Sequence, residues 1–339
     1  MNITVIGAGA IGGVIGAYLV KGGYNVTFID KNEDHVHAMN ENGLTIIEKV
    51  QQFTVKVKAF TVDQFLETRE TLETVFLAVK AQHTVEAIES VKDRLSDDSY
   101  VVSFQNGLCE EEIASVIGIE KTIGCFVNLF ADYLEPGIVE YGGVGSVYLG
   151  ELDGRESKRL AELIEVLSSW GDAKSTNNIQ GFLWSKLAYG AVLTATATTN
   201  MEIADFFEDA VYYPLVTSIA IEVLQVANKK GIFTESFDGW TPNILYPEYQ
   251  KEKVDAQFLE LAKKLRGYTK TRTGIWRDLA VRKRKTEVPQ QLNPVILEGE
   301  KLGLSLPLLT RLVEMINEIE EGKRPLQSEN LEELELAFK

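Results

Sequence analysis

The feature that most constrains this chain is Gly7-Ala8-Gly9-Ala10-Ile11-Gly12, a GxGxxG turn between the apolar run Asn2 to Ile6 and a helical pattern reaching about Lys21. Between a strand and a helix, the first glycine permits a tight turn, the second lets the backbone approach a pyrophosphate, and the third lets the helix pack on the strand. The helix N-terminus behind the turn stabilises phosphate charge. Gly22-Gly23 stops the helix, and Tyr24 to Ile29 reads as a second strand ending in Asp30. That acid stands close to the ~20-residue spacing at which a carboxylate accepts from a ribose hydroxyl. The expected nucleotide contacts are therefore Gly7, Gly9, Ala10, Ile11, Gly12 and Asp30, the rival reading being a glycine-rich turn of purely structural origin. A carboxylate there hydrogen-bonds a 2′-hydroxyl and repels a 2′-phosphate, which favours NADH over NADPH. Lys31 leaves two readings, a neutraliser of such a phosphate or an ordinary solvated lysine.

Thr74 to Val79 and Tyr100 to Phe104 are further apolar strands with helical patterns between or after them, which implies parallel pairing with right-handed crossovers. The stretch from Gly137 to Gly150 reads as a short hairpin added at an edge of the sheet. A helix follows at about Ser157 to Trp170, and the polar run from Gly171 to Gln180 reads as the start of a linker. Beyond Ile179 the patterns are almost all helical: Ile179 to Asn200, loaded with Ala and Thr, then Tyr212 to Lys230, Lys251 to Leu265, Gln290 to Leu302 and Leu308 to Glu321. Small residues in the first of these would admit a close neighbour or ligand. Pro294 should kink the fourth. For 339 residues two domains are expected. The fold class is α/β: an N-terminal Rossmann-type doubly wound parallel sheet over 1–177 that binds a dinucleotide, then a C-terminal all-helical substrate and catalytic domain over 178–339.

Charge narrows the function. With 34 basic against 50 acidic residues and a net charge of −16, a nucleic-acid partner is not expected. Two cysteines, Cys109 and Cys125, exclude a disulfide scaffold and a Cys-rich metal cluster. His35, His37 and His83 all fall in the first quarter of the chain, show no HExxH spacing, and read as surface or core residues, so no metal site is expected. A proton donor for hydride chemistry must then be a Lys, a Tyr or an acid. No export signal is seen and no apolar segment approaches the ~20 residues that span a bilayer, so the expected location is cytoplasmic, without a membrane partner.

Val79-Lys80-Ala81, Gln105-Asn106-Gly107, Leu183 to Ala188 (LWSKLA) and Thr286-Glu287-Val288, with the helical C-terminal half, together resemble the ketopantoate reductase family over most of the chain. The resemblance implies NAD(P)H-dependent reduction of a 2-keto acid, ketopantoate or a related branched one, in pantothenate biosynthesis. It implies Lys186 as general acid, Glu287 accepting from the substrate hydroxyl, and Lys80 and Asn106 where cofactor and substrate meet, in a cleft between the domains. The ammonium of Lys186 would stabilise the negative charge developing on the carbonyl oxygen and then deliver a proton.

The departures are specific. Where family members commonly carry asparagines four and eight residues after the lysine, this chain has Gly190 and Thr194; a substrate-contacting serine aligns only with Thr273 or Gly274. These positions are the expected substrate contacts with Asn106 and Lys80. Arg277 and the run Arg282, Lys283, Arg284, Lys285 form a basic island, read as a solvated face or an attractor of an anionic substrate. A homodimer is one open assembly. An opine-type dehydrogenase and a non-catalytic dinucleotide-sensing regulator are the alternatives, and a buried lysine speaks against the second.

Overall fold

The computed structural model describes residues 1–267 and 271–338, in two compact units, Met1–Ile179 and Gln180–Lys339. The first unit is built on strands β1 (Asn2–Ile6), β2 (Asn25–Ile29), β3 (Leu44–Ile47), β4 (Gln52–Val55), β5 (Lys58–Phe60), β6 (Leu72–Leu77), β7 (Leu95–Ser103), β8 (Thr122–Glu135), β9 (Ile138–Glu151) and β10 (Ala173–Ser175). Their order is β4-β3-β9-β8-β7-β6-β1-β2-β5, with β10 paired to β9. From β8 through β7, β6, β1 and β2 to β5 every pairing is parallel. Helices α1 (Ala10–Lys21), α2 (Glu33–Asn42), α3 (Val62–Thr68), α4 (Thr84–Val91), α5 (Glu110–Ile117) and α6 (Lys158–Leu167) complete the unit.

Two apolar clusters fill it. One gathers Val5, Val14, Ile15, Phe28, Phe76 and Phe104 with residues of α6; the other gathers Ile6, Ile29, Leu77 and Val101 with Phe65, Ile88 and Ile113 of α3, α4 and α5. Strands buried on both faces read as continuous apolar runs, the pattern of β1, β6 and β7. The chain lays β2 beside β1, places β3 and β4 at the far edge, returns with β5 beside β2, and then adds β6 on the other side of β1. The switch of direction lies between β1 and β6, and ligands of open parallel sheets bind outside the carboxyl ends of strands at such a point.

In the first unit two sequence expectations are corrected. The glycine-rich segment after Gly137 is not a short edge hairpin: it forms β9, antiparallel to β8 along most of both strands, and β9 lies inside the sheet between β8 and β3. Its glycines coincide with register shifts at Val127/Leu129 and Phe130/Ala131, where bulges bend the ribbon. The polar run expected to begin a linker instead contains β10, parallel to β9.

The second unit holds α7 (Ile179–Ala197), α8 (Ile203–Glu208), α9 (Tyr213–Lys229), α10 (Lys251–Arg266), α11 (Gly274–Trp276), α12 (Val288–Lys301), α13 (Pro307–Glu320) and α14 (Glu329–Phe338), with a π-turn over Arg277–Val281. Pro294 lies inside α12, which continues on both sides of it. The buried threonines at the end of α7 satisfy themselves: Thr194, Thr196, Thr198 and Thr199 each donate a hydroxyl to a carbonyl three or four residues earlier. Contrary to the sequence expectation, the run Ala210–Lys229 is long and apolar enough to cross a bilayer. Leu215, Val216, Ile219, Val223 and Val226 of this run are buried in the unit. Also buried on it is Glu222, whose carboxylate accepts from the backbone N–H groups of Leu308 (2.9 Å) and Leu309 (2.8 Å) at the start of α13.

Candidate active site

The glycine-rich turn leaves β1 with Gly7 at φ 94°, a left-handed conformation that glycine adopts without strain. A Cβ on Gly7 would lie 2.7 Å from the Val79 nitrogen, and one on Gly12 would lie 2.1 Å from the Gly7 carbonyl oxygen. Both glycines are demanded by the protein's own packing. Gly9 differs, since a Cβ there meets nothing within 4 Å. Its smoothness serves something outside the protein's own atoms, as a pyrophosphate laid across the turn would require. The start of α1 behind it carries neither a capping side chain nor an acid in its first turn, so its N–H groups and positive dipole end are left to an anion. The turn therefore fits a dinucleotide.

The turn is pinned from below. Gly7 N–H donates to Ile29 O (2.8 Å), and Ala8 N–H donates to Asp30 Oδ2 (2.8 Å). Asp30 Oδ1 accepts from Asn32 N–H (2.9 Å). Each carboxylate oxygen carries a second lone pair, so Asp30 can hold the turn and still accept from a ribose. Next to it, Lys31 Nζ lies 3.0 Å from His83 Nε2, whose Nδ1 faces Glu86 at 3.5 Å. His35 is buried, with Nε2 2.8 Å from Ala8 O and Nδ1 accepting from Gly137 N–H (2.9 Å). His37 is exposed.

Lys80 and Asn106 follow the carboxyl ends of β6 and β7, the side of the sheet on which the turn lies. Ala78 N–H donates to Ile6 O and Phe104 N–H to Leu77 O, both at 2.8 Å, which keeps the three strand ends in step. Gln105 is buried and its Nε2 donates to Val79 O (3.0 Å) and Thr84 Oγ1 (2.8 Å), tying the Asn106 loop to the Lys80 loop. The QNG motif contained this residue, but its positioning role shows only in the fold.

In the second unit, Lys186 is half-buried on α7 among the buried Trp184, Ser185, Leu187 and Ala188. Gly190 and Thr194 continue its face at helical spacing. Neither supplies a free donor: a Cβ on Gly190 would enter open space, and the Thr194 hydroxyl donates to Gly190 O (2.9 Å). Tyr189 packs within 5.3 Å of Trp240 and 6.0 Å of Phe207 and Phe237, ring centre to ring centre, an aromatic wall beside that turn of helix.

Thr273 is buried and its Oγ1 accepts from Trp276 N–H (3.0 Å), capping α11; Gly274 next to it is exposed. Glu287 is half-buried at the N-cap of α12, where its side chain makes no capping hydrogen bond. The neighbouring Thr286 does the local structural work, donating both N–H (2.7 Å) and hydroxyl (2.8 Å) to Glu320 Oε1 and accepting from Val288 N–H (3.3 Å). The basic island is partly neutralised within itself, since Asp278 accepts from Arg282 (3.1 Å) and Arg284 (3.0 Å). Arg277 is half-buried, and burial followed by the charge of Arg282 lowers its pKa. Among the described residues no group of three His, Cys, Asp or Glu side chains could hold a metal ion.

Comparison with known proteins adds the following. The family description "Ketopantoate reductase PanE/ApbA" matches residues 3–154, and "Ketopantoate reductase PanE/ApbA C terminal" matches residues 178–320. The 2-dehydropantoate 2-reductase of Pyrococcus abyssi is 26% identical over 96% of this chain and 100% of its own length. That of Pyrococcus horikoshii is 30% identical over 68% of this chain and 75% of its own length. Among solved structures, D-mandelate dehydrogenase with NADH and anilino(oxo)acetate superposes with a TM-score of 0.82 at 22% identity, covering 95% of this chain and 99% of the dehydrogenase.

Proposed function

The chain belongs to the ketopantoate reductase family and is an NAD(P)-dependent oxidoreductase acting on CH–OH groups, and from that premise we propose that it reduces a branched 2-keto acid, with Lys186 as general acid. The observation that carries this reading is the lysine itself, a cation half-buried on a helix beside the buried Trp184, Leu187 and Ala188. A charge kept in such surroundings needs a task. The bound dinucleotide supplies the hydride. Lys186 Nζ stabilises the oxyanion that forms on the carbonyl oxygen and transfers a proton to it, while the Glu287 carboxylate accepts from a substrate hydroxyl. Lys80 and Asn106, at the strand ends, orient the substrate carboxylate and the nicotinamide.

NADH is the preferred reductant. Asp30 places negative charge where a 2′-phosphate would sit, and the NADH bound by the similar D-mandelate dehydrogenase supports the same choice. Lys31 is engaged with His83, which weakens its claim as a phosphate partner. The substrate reading is broader than ketopantoate alone. Gly190 offers space, and Thr194 is buried with its hydroxyl hydrogen given to its own helix, so neither position has a hydrogen to donate to a substrate hydroxyl. Oxidation of NADH and NADPH by the full-length protein over a panel of branched 2-keto acids, ketopantoate included, tests the proposal. Turnover of ketopantoate and its unhydroxylated analogues with NADH is expected; no turnover of any 2-keto acid with either reductant overturns it.

A further inference from the structure

We propose that His35 is a positioning residue for the dinucleotide turn, setting the direction in which the turn presents its phosphate-binding N–H groups. The inference rests on the reading of Gly7 to Gly12 as the dinucleotide site. In such a turn the ligand is held by backbone, so the orientation of each peptide plane is the recognition element. Because a peptide unit is planar and trans, fixing its carbonyl fixes the opposed N–H. Ala8 lies between two such planes. Its N–H belongs to the Gly7–Ala8 unit and is held by Asp30 Oδ2 at 2.8 Å. Its carbonyl belongs to the Ala8–Gly9 unit and lies 2.8 Å from His35 Nε2. Asp30 thus fixes one plane and His35 the next, and the plane fixed by His35 carries the Gly9 N–H, which a trans peptide directs away from the imidazole.

The imidazole is itself held on every side. His35 is 1% exposed and its ring meets Tyr133 edge to face, centroids 5.0 Å apart. Gly137 N–H donates to Nδ1 at 2.9 Å. A backbone N–H can only donate, so Nδ1 is the bare nitrogen and Nε2 bears the proton given to the Ala8 carbonyl. The backbone of His35 is anchored too, its N–H donating to Asn32 Oδ1 at 3.2 Å in the cap of α2. Through one ring the dinucleotide turn is joined to the turn between β8 and β9, where Gly137 has a φ of 79°.

Three substitutions in the full-length chain separate the contacts. His35→Phe keeps a ring and removes both nitrogens. His35→Asn can still accept from Gly137 N–H but is too short to reach Ala8, and His35→Gln can offer an amide N–H near the Nε2 position. Measured by NADH fluorescence titration and steady-state kinetics, His35→Phe and His35→Asn should raise the NADH Kd about tenfold, the loss expected for a buried hydrogen bond of this kind. Their kcat at saturating NADH should stay within about threefold of wild type, and His35→Gln should recover most of the affinity. A Kd within twofold of wild type in His35→Asn, or equal Kd values in the Asn and Gln variants, overturns the proposal, and this pair decides it even if His35→Phe fails to fold. Wild-type protein that binds neither dinucleotide would remove the reading of the turn as a dinucleotide site, and the inference with it.

Discussion

In the proposed function, the glycine-rich turn and helix α7 carry chemistry in opposite ways. At the turn, recognition is built from backbone: two glycines exist because other atoms leave no room for a Cβ, and the peptides on either side of Ala8 are held by Asp30 and His35. On α7, as proposed, it is built from one cation and from space, with Lys186 followed by an open Gly190 and by a Thr194 turned onto its own helix. A backbone-built site is demanding about geometry and recognises what all dinucleotides share. A space-built site fixes the reacting atom and is lenient about the rest of the substrate.

The comparison breaks first at Lys186. Lys186→Ala should lower kcat by about two to four orders of magnitude, the usual range for a positioned general acid, and leave the NADH Kd almost unchanged. Rapid single-turnover kinetics with saturating NADH would measure it. A kcat within a few-fold of wild type would make the lysine a structural residue and leave the second region without its chemistry.

Asp30 is next. Because its carboxylate holds Ala8 N–H as well as the expected ribose hydroxyl, Asp30→Ala should weaken both dinucleotides. NADH should lose about 10- to 100-fold, the range for hydrogen bonds to a charged acceptor, and NADPH less, since repulsion of its 2′-phosphate is removed at the same time. Calorimetric titration of both nucleotides reads the gap. Equal or tighter NADPH binding by the wild-type protein would refute the assignment of Asp30 and make the Lys31–His83 pair the more important neighbour.

Much of the first region was legible because its signals are local. A strand, a GxGxxG turn, a helix and an acid at the next strand end follow one another within the first 30 residues. The errors came from non-local pairing. The segment after Gly137 shows hairpin chemistry, but whether it edges the sheet depends on β3, which precedes it by a long stretch of chain and closes over it. A three-residue strand such as β10 is too short to show a period, so its polar residues resembled a linker. His35 looked like an ordinary core histidine, and it is buried as one; that its ring reaches the Ala8 carbonyl depends on how α2 docks. In α7 the Thr and Ala content suggested room for a neighbour, whereas the hydroxyls bond within the helix and the room is at Gly190.

A third prediction asks how the helical unit tolerates buried charge. Burial raises the pKa of Glu222 to about 7 against the opposing effect of the Leu309 and Leu308 N–H groups. With a folded pKa above the unfolded value of 4.5, the folded chain keeps a proton that the unfolded chain releases between those values. The stability from this group is fully present below about pH 4.5 and is lost as pH rises through 7. Across pH 6 to 8 that amounts to about 1 kcal/mol. Urea unfolding of the full chain should show this decline, and Glu222→Gln should flatten it. An unchanged slope in the variant would assign the pH dependence elsewhere.

The smallest expected effect is the most informative about the comparison. If α7 recognises substrate through space, then wild-type kcat/KM for unhydroxylated branched keto acids should fall within about two orders of magnitude of that for ketopantoate, well short of the ~10⁴ that a site built to hydrogen-bond the hydroxyl can reach. Gly190→Asn converts space into a polar group one helical turn from Lys186, and the new Cβ enters open space. One added hydrogen bond is worth about 0.5–1.5 kcal/mol net, so the preference for ketopantoate should rise about three- to tenfold, mainly through lost activity toward analogues that leave the amide unpaired. Competition assays on the wild type and Gly190→Asn measure both numbers. A wild-type preference already near ~10⁴ would mean that Glu287 alone enforces hydroxyl recognition, and that the second region, like the first, selects by fixed polar contacts.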